Sequence, residues 1–498
     1  MITRSAVVKD IVFAPAHLTG RENIEQAKGL RILMTLAFLA IVAALFWNSA
    51  VIEGLNPKAD AYKEQAIAEA DAKTVAPGDI YDRMGRPIVV TTQAGEASVY
   101  ADDFAYTQVL GYTTNKVTYY DNGVFTESQN DYRLMDYYGD LLYTTSDVDS
   151  TKGTSLVLTL DNDLQMQVAN LLKSEMSLLS RGSAVVLDAK TGEILSMVSY
   201  PTFNANDLNS SFMELQNVSE EQEIYYPITH KGYEVPGSIF KIVTAVALLD
   251  NGYEDLTVID QDSTVQGVKV VNAYSSPGDS ITYYEALERS SNVYFATAGL
   301  KLGGKKLEET AKKFLIGENL ELDFGTVKSN WDLTVTDKAE VAATAYGQGN
   351  TLLSTIYAAM ITQTIANDGV MMEPHILLTA QDEHGTILKR GETKVLSEVT
   401  SKDTADKITE AMLAATDSHL NVVEGDENRQ IFEKYEIASK TGTGETGEDD
   451  LHNAWFISFA PADDPQYVVV VNQCDTEKYG QDLMDTAAGI YRYLFEEQ

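Results

Sequence analysis

Residues Ile32 to Trp47 form an almost unbroken apolar run in which Thr35 is the only polar side chain. Extended to Ile52, the run has about 20 residues, enough to cross a bilayer as a helix. A cleaved leader would have a shorter apolar core nearer the N-terminus and a small-residue cleavage site. Here Phe46, Trp47 and Asn48 close the run, so it reads as an uncleaved anchor. Arg4, Lys9, Arg21, Lys28 and Arg31 precede it, and the next basic residue after it is Lys58. The positive-inside rule then puts residues 1–31 in the cytoplasm as a tail, 32–52 in the cytoplasmic membrane, and the rest on the extracellular or periplasmic side. A buried core helix would leave that charge asymmetry to coincidence.

The chain has 498 residues, so the part beyond the anchor is long enough for more than one folded unit. Its formal net charge of −37 argues against a nucleic-acid partner. The single cysteine, Cys474, excludes an intramolecular disulfide and reads as a small strand residue. Residues 59–73 have the Ala-rich, charged pattern of a helix, ended by Pro77-Gly78. Residues 79–150 are rich in Tyr, Thr, Asn and Asp and suggest a small strand-rich module. From Ser155 the pattern changes. Ser155 to Leu160 is apolar, and Asp161 to Ser174 has helical spacing. Ser183 to Asp188 and Ile194 to Ser199 read as a hairpin. Near the C-terminus, Tyr435 to Ser439, Ala454 to Ala460 and Tyr467 to Asn472 are three more strand-like runs, with an amphipathic helix after them over 481–496. Strands at both ends with helices between them predict an α+β domain over 155–498. One antiparallel sheet would gather both ends, and a helical lobe would be inserted between them.

Three short segments carry chemistry. In Val235-Pro236-Gly237-Ser238-Ile239-Phe240-Lys241, the Pro-Gly turn and the apolar run after it put Ser238 at a helix start. Lys241, three residues on, shares its face. A helix start favours negative charge developing beside the serine. The lysine can take the serine proton if burial or a neighbouring cation lowers its pKa. Ser-x-x-Lys alone is a weak signal, because an N-cap serine followed by a surface lysine looks the same. Two further segments raise its weight: Ser290-Ser291-Asn292, ahead of an apolar run, and Lys440-Thr441-Gly442-Thr443-Gly444, at the end of one. Gly442 offers no side chain, so a substrate backbone could approach there. The six histidines show no metal-ligand spacing. His452 reads as a strand-end residue, and Gly347-x-Gly349 is too short for a nucleotide loop.

The ordered set Ser-x-x-Lys, Ser-x-Asn and Lys-Thr-Gly resembles the penicillin-binding proteins, and the class B members in particular. Similar segments run through most of the chain: Gly78-Asp79-Ile80-Tyr81-Asp82-Arg83-Met84-Gly85, Leu158-Thr159-Leu160-Asp161, Gly182 through Pro201, Tyr346-Gly347-Gln348-Gly349, Ala366-Asn367-Asp368-Gly369 and Ala454-Trp455-Phe456. Pro77 departs from the pattern, since relatives often carry Arg there. The resemblance implies a penicillin-binding transpeptidase fold over 155–498. Before it would stand a small pedestal or dimerisation-like module over 53–154, and then the anchor. It implies a serine D,D-transpeptidase that cross-links nascent peptidoglycan stem peptides and is acylated by β-lactam antibiotics. By that resemblance Ser238 is the acylated nucleophile, Lys241 its base, and Ser290 the proton donor to the leaving group. Asn292 would hold the substrate peptide, and Lys440, Thr441 and Thr443 its carboxylate, alongside Gly442. The N–H groups of Ser238 and Thr443 would form an oxyanion hole. No cofactor and no metal are implied. The implied partner is a multi-span glycosyltransferase of the shape, elongation, division and sporulation family. A β-lactamase or β-lactam sensor of the same fold, and a non-catalytic cell-wall scaffold, are the alternatives. A secreted lactamase needs neither the anchor nor the module after it.

Overall fold

The computed structural model describes residues 75–497 apart from 93–98, 102–103, 112–118, 121–122, 125–133, 147–149, 177–180, 208–225, 275, 277 and 448–450. The tail, the anchor at 32–52 and the helix expected over 59–73 lie outside the described residues. Among the described residues no helix is long and apolar enough to cross a membrane.

The chain enters through short strands β1 (Ile80–Tyr81), β2 (Pro87–Val90), β3 (Val99–Tyr100) and β4 (Ser155–Leu158). Helix α1 (Asn162–Glu175) comes next and starts where Asp161 accepts hydrogen bonds from the N–H groups of Asp163 and Leu164 at 3.0 and 3.2 Å. Strands β5 (Arg181–Asp188) and β6 (Ile194–Tyr200) make the expected hairpin. The helical lobe includes α2 (Lys241–Asp250), α3 (Asn292–Leu302) and α4 (Thr355–Ala366). Strands β7 (Leu377–Gln381) and β8 (Ile387–Arg390) and helix α5 (Lys402–His419) come after it. The chain closes with β9 (Ala438–Glu445), β10 (His452–Ala460), β11 (Tyr467–Thr476) and helix α6 (Met484–Arg492).

One sheet has the order β9-β10-β11-β5-β6, with every neighbouring pair antiparallel, so both chain ends meet in it as the pattern of apolar runs predicts. Six consecutive residues of β5 and all of β6 are buried, which means that both faces of this sheet are covered. On one side α4, which carries no charged residue, is buried along its whole length. The Thr362 and Thr364 hydroxyls donate within the helix to the carbonyls of Ala358 and Met360 at 2.7 and 2.8 Å, and Gln363 Nε2 donates across to the Ala189 carbonyl at 2.8 Å.

The structure differs from the expected pattern in three places. The strand expected from Tyr435 begins only at Ala438, because Tyr435 ends a helix and Glu436 takes φ 45°. The strand then continues through Lys440 to Glu445, so the Lys-Thr-Gly segment lies within an edge strand rather than beyond it. The closing helix is a 3-10 turn, then α6, then a π turn over Tyr493–Glu497. The boundary expected after residue 154 runs through a shared sheet of order β8-β7-β4-β1-β2-β3, in which β1 runs parallel to β4. Residues 74–498 form one compact unit. Ile80, Leu134 and Leu142 share one buried apolar core with Leu160 and Leu164.

Candidate active site

Ser238 lies in a 3-10 turn, Gly237–Phe240, that runs straight into α2. The first N–H groups of such an element have no partner inside it. Four glycines let the turn sit against its neighbours. Gly237 has φ 53°, and a Cβ there would stand 2.4 Å from the Thr443 carbonyl oxygen. A Cβ on Gly347 would stand 1.6 Å from the Gly237 oxygen. One on Gly444 would meet the Val235 oxygen at 2.2 Å, and one on Gly442 would meet Ile239 Cγ2 and the Pro236 oxygen at 2.8 and 2.9 Å. The side-chain direction at Gly442 is therefore occupied by the turn that carries Ser238. On that face of β9 the missing side chain lets strand and turn touch. The Gly237 N–H donates to the Gly347 carbonyl at 3.0 Å, and the Trp455 indole donates to the Val235 carbonyl at 3.0 Å.

Lys241 is fully buried one turn below the serine. Its Nζ lies 2.8 Å from Ser238 Oγ, 2.8 Å from the Ser290 carbonyl oxygen, 2.7 Å from Asn292 Oδ1 and 3.2 Å from Ser290 Oγ. The Ser290 carbonyl and Asn292 Oδ1 can only accept. The Asn292 orientation is fixed because its Nδ2 donates to the Val271 carbonyl at 2.8 Å. A neutral amine has two hydrogens, which these acceptors take, and its lone pair is then left for the Ser238 hydroxyl. Burial pushes the Lys241 pKa well below the ordinary lysine value, and nearby Lys440 lowers it further, against an opposing pull from Asp260.

Lys440 reaches the same place from β9. It too is fully buried, with Nζ 2.9 Å from Ser290 Oγ and 3.0 Å from the Thr441 carbonyl oxygen. Burial lowers its pKa to about 7. Ser290 Oγ thus bridges two lysines. Its residue holds φ 59°, a left-handed conformation that costs a serine ~1–3 kcal/mol and is retained by the packing around it. Five predicted residues, Ser238, Lys241, Ser290, Asn292 and Lys440, are joined by direct contacts. Thr441 and Thr443 come next on β9, half-buried and on one face by the two-residue period of a strand. The arrangement is that of a serine nucleophile with a lysine base, suited to acyl transfer.

Sequence reasoning missed Asp260, Asn272 and the structural part of Gly347. Asp260 and Asn272 lie in a stretch without a strong period, so nothing local marks them. Gly347 stood inside a segment that carried the family resemblance and no role of its own. His452 begins β10, as its strand-end reading requires, with its ring 5.0 Å from that of Tyr479. Cys474 is buried in β11, where burial pushes its thiol pKa well up.

This geometry defines a serine acyl-transfer site in which two buried lysines share one hydroxyl. Residues 182–492 match the family described as penicillin binding protein transpeptidase domain. The chain belongs to that family and, within it, to the class B penicillin-binding proteins. It is 29% identical over 307 residues to the peptidoglycan D,D-transpeptidase PbpA of Mycolicibacterium smegmatis, covering 58% of this chain and 61% of that one. The chain spans about half to three fifths of the length of the curated relatives it matches. Among solved structures, the D,D-transpeptidase domain of an Eggerthella lenta peptidoglycan glycosyltransferase superposes with a TM-score of 0.72 at 24% identity, over 85% of this chain and 99% of the other. Penicillin-binding protein A of M. tuberculosis, solved as an imipenem acyl-enzyme complex, gives 0.71 at 21%, over 84% and 98%. These two share the fold.

Proposed function

We propose that the chain is a serine D,D-transpeptidase that cross-links peptidoglycan stem peptides and is acylated by β-lactams at Ser238. The observation that carries this reading is the position of Lys241 Nζ, 2.8 Å from Ser238 Oγ with two obligate acceptors on its other side. The name of the M. smegmatis relative and the acyl-enzyme form of the M. tuberculosis protein support it.

In this mechanism a donor stem peptide lies along the open edge of β9, where a strand edge can accept an extended peptide. Lys440, Thr441 and Thr443 hold its terminal carboxylate, and the second Nδ2 hydrogen of Asn292 meets its peptide backbone. Lys241 takes the Ser238 proton as Oγ attacks the carbonyl carbon of the last peptide bond. The N–H groups of Ser238 and Thr443 face the oxyanion, where one donor is typically worth ~3–4 kcal/mol. Ser290 passes a proton to the departing amine, the C–N bond breaks, and an ester on Ser238 remains. The amine of a second stem peptide attacks that ester and gives its proton back through the same groups. The new peptide bond forms and the serine hydroxyl returns. No cofactor enters these steps.

Residues 32–52 would anchor the catalytic part outside the cytoplasmic membrane, with residues 1–31 inside. The anchor and the strand-rich stretch at 79–150 would contact a membrane glycosyltransferase that supplies glycan strands. Purified full-length protein, incubated with lipid-linked precursor and such a polymerase, should yield cross-linked muropeptides by chromatography and none when the polymerase is omitted. Polymerisation by the chain alone would overturn the monofunctional reading. Rapid release of a labelled penicillin would indicate a β-lactamase instead. Exchanging residues 1–52 for an unrelated single-span anchor should weaken polymerase co-purification; full retention would make the anchor a passive tether.

A further inference from the structure

Asp260 is a fully buried carboxylate, and among the described residues it forms no ion pair. Three side chains compensate it. Its Oδ1 accepts from Ser291 Oγ at 2.6 Å and Asn272 Nδ2 at 2.8 Å, and its Oδ2 accepts from the Tyr274 hydroxyl at 2.7 Å. The Ser276 hydroxyl donates to its carbonyl oxygen. Burial pushes the carboxyl pKa up, but these hydrogen bonds outweigh it and hold the group charged. Because the carboxylate only accepts, Asn272 must present Nδ2 to it, and its Oδ1 therefore faces the other way. That oxygen accepts from the N–H groups of Asn292 and Val293 at 2.8 and 3.2 Å, which are orphan donors of the first turn of α3. Ser291 Oγ accepts from the Tyr294 N–H at 3.0 Å while donating to Asp260. The loop so held carries Ser290 at φ 59° and presents Asn292 Oδ1 and the Ser290 carbonyl to Lys241.

Resting on the acyl-transfer reading above, we propose that Asp260 is a positioning residue of this active site. Through Asn272 and Ser291 it locks the Ser290–Asn292 loop in the geometry that directs the Lys241 lone pair at Ser238. It acts by shape and by charge together. The charged and titratable groups around the pair are Lys440 from β9, Tyr274, Asp262 and Asp279 from the surrounding loops, and Arg289 ahead of Ser290. The Asp262 carboxylate accepts from the Asn272 N–H at 3.1 Å, and Arg289 pairs with Asp279 at 3.0 Å. The face of Phe295 lies 5.8 Å from Lys241 Nζ.

The test is the rate of acylation of the full-length protein by a fluorescent penicillin across a pH range of about 5 to 9, with thermal melting beside it. Asp260→Asn keeps the side-chain size but removes the charge and turns one acceptor oxygen into an amide donor, so the charge-assisted hydrogen bonds that hold Asn272 and Ser291 weaken and the loop is held less firmly. Acylation should slow by ~10-fold or more, as loss of positioning implies. The rising limb of its pH profile should also move to lower pH, since without the nearby negative charge Lys241 loses its proton more easily. Ser291→Ala leaves the charge and cuts one link, so it should slow acylation with the limb in place. A wild-type rate in folded Asp260→Asn, or a slower rate with an unmoved limb, would overturn the proposal. If that variant does not fold, wild-type rates in Ser291→Ala overturn it. Absence of labelling in the wild-type protein would instead strike the acyl-transfer reading.

Discussion

If Ser238 is the nucleophile, Gly347→Ala should damage catalysis from 109 residues away in sequence, because Gly347 backs the turn that carries Ser238. The added Cβ would lie 1.6 Å from the Gly237 oxygen and 2.4 Å from its carbon, and real Cβ contacts essentially never fall under 3.0 Å. The two backbones must part by more than an ångström. The turn cannot retreat, since its other side already rests on Thr443, Gly442 and Gly444 of β9. Gly347 also has φ 90°, which strains an alanine by ~1–3 kcal/mol. Overpacking adds a similar amount, so a destabilisation of about 2–6 kcal/mol is expected. A displacement near 1 Å of a nucleophile costs on the order of 10²-fold in rate. Stopped-flow acylation with a fluorescent penicillin, on protein shown to be folded by thermal melting, measures this directly. Gly385→Ala is the control. It also has positive φ, 79°, but nothing lies within 4 Å of its new Cβ, so it should lose some stability and keep the wild-type rate. A folded Gly347→Ala that acylates at the wild-type rate would refute the reasoning.

The remaining predictions concern the two lysines. Lys241→Ala should slow acylation by about 10²–10⁴-fold, the usual range for a lost general base, measured on protein shown to be folded by thermal melting. Lys440→Ala should weaken reaction with carboxylate-bearing substrates more than with neutral esters in parallel kinetic assays; equal losses would remove its assigned role. Lys440 also sets a pH dependence. Its pKa is about 7 in the folded protein against an ordinary value of 10.5, so between those values the unfolded chain binds more protons. Its contribution to stability therefore rises with pH from about 7 to 10.5 and is lost below that window. Lys440→Met should flatten this part of a stability-against-pH curve from chemical denaturation, and an unchanged slope would count against a buried neutral lysine.

Local signals made much of this legible. Ser238 and Lys241 could be placed because Pro236-Gly237 marks a turn and the next residues are apolar at helical spacing. The hairpin of β5 and β6 was legible from two apolar runs around Thr191-Gly192-Glu193. What escaped depends on contacts between distant segments. That the absent side chain of Gly442 also makes room for Pro236 and Ile239 is visible only in the fold. Tyr435 looked like a strand because Ile437 and Ala438 are apolar, while the positive φ of Glu436 delays the strand. Asp260 lies thirty residues from Ser290, and no sequence period announces a buried carboxylate that works through an asparagine. The boundary near residue 154 tracked a change of composition, yet β1 and β4 share a sheet across it.

The central claim is that Ser238 is the acylated residue. Intact-protein mass spectrometry of the full-length chain after exposure to a penicillin, followed by peptide mapping, tests it most directly. The account predicts one adduct of the antibiotic's mass, located on the peptide containing Ser238, persisting for many minutes, and absent from a folded Ser238→Ala protein. An adduct on another residue, or undiminished labelling of Ser238→Ala, would contradict it.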